Sequence, residues 1–65
     1  MDIDDFASNL IGKTYEEAKH LIKCSNYRYR VTRKDSAYYA ITMDFDAGRL
    51  DLELDNGIVT QVGIG

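Results

Sequence analysis

Arg33-Lys34-Asp35-Ser36-Ala37-Tyr38-Tyr39-Ala40-Ile41-Thr42-Met43-Asp44-Phe45-Asp46-Ala47-Gly48 separates two stretches that read as β-strands, and it admits two readings of its own. In the first it is a long exposed loop. In the second, Tyr39, Ile41, Met43 and Phe45 alternate with Ala40, Thr42 and Asp44 as a half-buried strand, and Asp46-Ala47-Gly48-Arg49 closes a four-residue hairpin loop. That hairpin pairs Phe45 with Leu50 and Met43 with Leu52. It also sets Asp44 opposite Asp51, a like-charge contact that is unfavourable unless Arg28, Arg30 or Arg49 compensates. The choice between loop and strand decides the topology of the sheet and what the chain offers a partner.

The flanks are clearer. Upstream, Tyr27, Tyr29 and Val31 alternate with Arg28, Arg30 and Thr32, the period-two pattern of a half-buried strand. Downstream, Leu50, Leu52 and Leu54 alternate with Arg49, Asp51, Glu53 and Asp55, and Ile58, Thr60, Val62 and Ile64 suggest a last short strand. Basic outer positions on the first strand face acidic ones on the second, so the two are expected to be neighbours despite the long segment between them. For the final turn, a two-residue Asn56-Gly57 connection would strand Ile58 and Val62 on the wrong face. A three-residue Asp55-Asn56-Gly57 loop with Gly57 left-handed keeps the apolar residues together and is the expected form.

Before the first strand, Thr14-Tyr15-Glu16-Glu17 is a capping box, in which the Thr14 hydroxyl accepts from the Glu17 amide and the Glu17 carboxylate from the Thr14 amide. Acids at the start and Lys19, His20 and Lys23 toward the end suit the helix dipole, so a helix is expected over 15–24. Ala18, Leu21 and Ile22 share one side of it, with Tyr15 or Cys24 at the margin, which makes it a cover for a sheet. Phe6 and Leu10-Ile11 are expected to tuck a short N-terminal segment beneath the same core.

The reading is therefore of one α+β domain over 1–65, with no repeat or linker. A net charge of -3 argues against nucleic acid, which needs a concentrated basic face. No apolar run is long enough for a membrane span, and Met1-Asp2-Ile3-Asp4-Asp5 lacks the basic and apolar regions of a signal peptide. The lone Cys24 forms no internal disulfide, so a reducing or cytoplasmic compartment is the easier expectation.

Catalysis and metal binding find little support. His20 and Cys24 stand four apart on the helix, but no further ligand is placed to complete a metal site with them. Asp44, Asp46, Asp51 and Asp55 are out of register with the glycine a calcium loop requires, and Arg49 would repel the cation. Cys24 has only His20 on its own short helix as a base. No enzyme activity, metal or cofactor is therefore expected. Tyr27, Tyr29, Tyr38 and Tyr39 read as sheet packing or as an aromatic patch for a protein partner.

Taken in order, Leu10-Ile11-Gly12-Lys13-Thr14-Tyr15-Glu16-Glu17-Ala18-Lys19, Tyr29-Arg30-Val31, Ile41-Thr42-Met43-Asp44-Phe45, Gly48-Arg49-Leu50-Asp51-Leu52 and Gly57-Ile58-Val59-Thr60-Gln61-Val62 through Gly65 resemble the potato inhibitor I family and related small microbial serine-protease inhibitors. The resemblance implies one helix packed on a small mixed β-sheet whose central parallel strands are joined by an extended protease-binding loop. By the same match the loop is Ile41, Thr42, Met43, Asp44 and Phe45, Met43 fills the specificity pocket, and Met43-Asp44 is the scissile bond. Basic residues from the following strand support that loop in the family. Arg49 matches one such position, whereas Asp51 stands where a second arginine is often found and cannot donate. Ser36-Ala37-Tyr38-Tyr39 also replaces a rigid Pro-Gly type of turn. The competing expectation is a non-inhibitory protein-binding or self-associating module in which residues 38–45 form an extra strand.

Overall fold

The structure is a computed structural model that describes residues 2–39 and 41–65; Met1 and Ala40 fall outside it. Two helices, α1 (Ile3–Leu10) and α2 (Tyr15–Lys23), precede four strands, β1 (Arg28–Lys34), β2 (Ala37–Tyr38), β3 (Arg49–Asp55) and β4 (Ile58–Ile64). The fold is α+β. The strand order is β2-β1-β3-β4, and β1 runs parallel to β3 while the outer pairs are antiparallel, which makes the sheet mixed.

The expected single helix is joined by a second. Asp2 accepts the Asp5 amide at 3.0 Å as the cap of α1, and Ala7 and Leu10 bury the inner face, with Ile3 and Phe6 packed beside them. That is an i, i+3, i+4, i+7 stripe behind an aspartate cap, a helix signal present in residues 2–10. Helix α2 starts at the expected capping box, with both reciprocal bonds formed, and buries Ala18 and Ile22 against the sheet.

Strand β3 is the spine. Leu50, Leu52 and Leu54 are buried on the helix side, while Asp51, Glu53 and Asp55 face away. Both of its edges are occupied, by β1 and β4, so no edge is left for residues 38–45 to form a hairpin with it. The extra strand expected under the binding-module reading reduces, among the described residues, to the pair Ala37–Tyr38, and it lies against β1 (Arg33↔Tyr38, Lys34↔Ala37).

Two register shifts escaped the alternation patterns. In β1, Val31 pairs with Leu52 and Arg33 with Glu53, so Thr32 is an extra residue that returns Arg33 to the polar face. There Arg33 grips Asp55 through two nitrogens at 2.8 Å each and Glu53 at 2.8 Å. In β4, Glu53 pairs with Gln61 but Leu54 with Val59, leaving Thr60 as the extra residue. This corrects the expected three-residue turn. Asp55 pairs with Ile58 across a two-residue Asn56-Gly57 turn whose φ values, 53° and 77°, are both left-handed, as a type I′ turn requires. The bulge then re-phases the strand, so that Val59 is buried opposite Leu54 and Val62 lies opposite Leu52. A bulge solves the facing problem that a longer turn was expected to solve.

Candidate protein-binding loop

Parallel pairing of β1 with β3 has a geometric consequence. The chain leaves β1 at Lys34, at one end of the sheet, and must enter β3 at Arg49, at the other. The described residues between 35 and 48 make this return without a helix. After β2, the Tyr39 amide donates to the Thr32 carbonyl at 3.0 Å, and the chain then runs out as an open loop with no strand among residues 41–48.

Within that loop the side chains divide by parity. Met43 is 97% exposed and Phe45 73%, and Ile41 is also exposed. Thr42, Asp44 and Asp46 instead turn to three arginines. Arg30 Nη1 donates to Thr42 Oγ1 at 3.2 Å. Arg49 Nη2 donates to the Asp44 carbonyl at 3.0 Å, with Nη1 3.5 Å from its carboxylate. Arg28 Nη2 lies 2.6 Å from each carboxylate oxygen of Asp46. One side of the loop is thus tethered and the other presented.

The tethers converge on the end of β4. Arg49 and Arg30 both donate to the Gly65 carbonyl oxygen, Arg30 at 3.4 Å, and the Asp46 amide donates to the same oxygen at 3.1 Å. Gly65 is itself packed so closely that a Cβ there would stand 2.9 Å from Asp51 Oδ2.

Of the residues expected to support the loop, Arg49 touches it directly. Asp51 does not; it holds Arg30, accepting from Nε at 2.7 Å and from Nη2 at 3.3 Å. The second supporting arginine comes from β1, and Asp51 orients it from β3. The sequence sets the basic outer face of the first strand against the acidic face of the second but carries no sign of the reach of Arg30 to Thr42, because that reach depends on where the returning chain lies.

Electrostatics follow these contacts. The Asp51 carboxylate raises the Arg30 guanidinium pKa, and Asp46 does the same for Arg28. Asp46 is held below the ordinary carboxylate range by Arg28 first and then by the Gly48 amide, which donates to Oδ1 at 2.9 Å. The Thr42 hydroxyl, ahead of the Asp44 amide and the arginines, lowers Asp44. Asp44 and Asp46 are therefore charged at neutral pH.

Tyr27, Tyr29, Tyr38 and Tyr39 differ in exposure. Tyr27 packs on Phe6 with ring centroids 5.3 Å apart and Tyr29 meets Tyr15 edge-on at 6.3 Å, both under the helices beside the core. Burial and the contact with Tyr29 push the Tyr15 phenol up to about 12. Tyr38 and Tyr39 are exposed where the loop begins. His20 and Cys24 are both exposed, and no group of three or more potential metal ligands occurs among the described residues. No described helix is long and apolar enough to cross a membrane. No family model matches the chain and no curated protein matches it.

Proposed function

We propose that this protein is a serine-protease inhibitor on a potato inhibitor I-like scaffold, offering residues 41–45 to the protease as a substrate held too firmly to be released. Met43 enters the specificity pocket, and Met43-Asp44 is the bond presented for attack. The protein acts by binding and needs no chemistry of its own. The observation that carries the reading is the pairing of full exposure at Met43 with tethers on both of its neighbours, Arg30 to Thr42 and Arg49 to Asp44. An inhibitory loop needs that combination, because a loop already ordered before binding avoids the ordering cost of association. The helix, parallel strand pair, connecting loop and terminal hairpin support the scaffold assignment.

A medium apolar side chain at the pocket position suits chymotrypsin-like, elastase-like or subtilisin-like enzymes. The test is a panel of these proteases with the protein in excess, read by residual activity and by mass spectrometry of the protein. Inhibition with one slow cut, between Met43 and Asp44, is expected, and Met43→Asp should abolish it. A panel left fully active, or rapid cleavage at many bonds, rejects the proposal. The competing module, a non-catalytic binder or self-associating unit, draws on the same exposed Tyr38, Ile41, Met43 and Phe45. It becomes the better reading if the panel is unaffected and the protein sediments as an oligomer.

A further inference from the structure

The leaving-group side of the loop has a fixture of its own. Asp46 lies two residues beyond the presented bond, and three separate parts of the molecule meet it. Arg28 of β1 brings one guanidinium nitrogen to both carboxylate oxygens, 2.6 Å from each. The Gly48 amide donates to Oδ1 at 2.9 Å, and the Arg49 amide donates to the Asp46 carbonyl at 3.2 Å, which folds the return into β3 as a tight turn. The Asp46 amide donates to the Gly65 carbonyl at 3.1 Å, and the Arg28 amide donates to the Gly48 carbonyl at 2.9 Å. Segment 44–48 is thereby fastened to β1, to β4 and to itself.

We infer that Arg28 and Asp46 are positioning residues that keep the amino end released by cleavage at Met43-Asp44 in place for religation. This inference rests on the inhibitor reading above. In the forward step the protease serine oxygen adds to the Met43 carbonyl carbon and its proton passes to the enzyme's base. The Met43 C to Asp44 N bond then breaks, and that proton goes to the Asp44 nitrogen, giving an acyl-enzyme and a free amine. In the reverse step the Asp44 amine attacks the acyl carbon, returns a proton through the base, and expels the serine oxygen. No other reactant is consumed. The outcome depends on whether the amine stays near the acyl carbon or swings away and admits water.

Holding a reacting group within roughly 3–3.5 Å of its target is worth effective concentrations of order 10⁵ M or more, far above what a free loop end offers. Arg49 holds Asp44 itself, but a single arginine at the end of a cut strand leaves the chain free to pivot. The Arg28 to Asp46 contact, two residues on, removes that pivot. Between the two tethered acids, Phe45 is left presented on the same side as Met43.

The test compares the wild type with Arg28→Ala and Asp46→Asn, using a subtilisin-like and a chymotrypsin-like protease as probes. Three quantities are read: the initial inhibition constant, the rate at which excess inhibitor is consumed, and the intact fraction regained when purified cut protein is incubated with protease. Both variants should weaken initial inhibition less than they speed consumption, since the tethers on Thr42 and Asp44 that flank the presented bond are untouched. Both should be consumed at least tenfold faster than wild type and regain little intact chain. Consumption at the wild-type rate with normal religation overturns the inference, even if the wild type inhibits well. A wild type that inhibits neither protease overturns the parent reading instead. Thermal unfolding of both variants separates the outcomes from misfolding. Because the Arg28 side chain is 63% exposed, Tm values near wild type are expected, and faster consumption that merely tracks a large Tm loss counts against the inference.

Discussion

Met43→Ala separates folding from binding in one substitution. The Met43 residue is 97% exposed in the free protein, so truncating it removes almost no packed surface. Substitutions at such sites usually change stability by no more than about 0.5 kcal/mol, or roughly 2–4 °C in Tm for a domain of this size. In a protease pocket the same side chain passes from full solvation to burial. Burying a methionine is worth on the order of 1.5–3 kcal/mol. At about 1.4 kcal/mol per decade, its loss should raise the inhibition constant roughly 10- to 150-fold. The assay is a titration of a protease from the inhibited panel with both proteins, beside a thermal melt. An unchanged inhibition constant would show that Met43 does not enter the pocket. A Tm loss of many degrees would show that it packs within the protein, and either result refutes the reasoning.

Other expectations follow from neighbouring contacts. Arg30→Ala and Asp51→Ala should each speed hydrolysis of the loop, and the double variant should be no worse than Arg30→Ala, because Asp51 acts only through Arg30; fully additive rates would disprove that route. Gly65→Ala should have a similar effect, since its Cβ would displace an Asp51 oxygen now 2.9 Å from that position. Acid should loosen the loop. Asp44 and Asp46 have depressed folded-state pKa values, so what their carboxylates contribute is complete above the ordinary aspartate value of about 3.9 and is lost as pH falls through the lower folded value. An NMR titration that finds Asp46 at or above the ordinary value would contradict this. Leu52→Ala, at a fully buried position in the central strand, should cost about 2–5 kcal/mol. For a domain whose whole stability is roughly 3–10 kcal/mol, a melt should show a fall of about 10 °C or more; a smaller fall would mean the core closes around the gap.

Much of the architecture could be read from short-range pattern. Thr14 and Glu17 announce the start of α2 because a capping box is satisfied entirely within four residues. The leucines at 50, 52 and 54 announce β3 because a strand buried on one face must alternate. The signal for α1 is equally local, an aspartate cap before an apolar stripe at helical spacing. The two bulges were not legible. Placing an extra residue at Thr32 or Thr60 depends on which partner strand lies alongside, and alternation within one strand carries no record of its neighbour.

The candidate site divides in the same way. Local chemistry marks Met43 as apolar between polar neighbours, and charge alternation suggests that the basic face of one strand meets the acidic face of the other. Whether 41–45 ladders or stands free is not written in those residues, since their alternation suits either state. That choice was made by β3, whose two edges are taken by β1 and β4, so the intervening chain has no strand left to join and must cross in the open. The three arginines that hold it come from positions 28, 30 and 49 and meet residues 42–46 only because parallel pairing brings the starts of β1 and β3 side by side. Contacts between residues close in the chain follow from backbone geometry and side-chain type, whereas contacts across the sheet depend on register, and register is settled by the packing of the whole core.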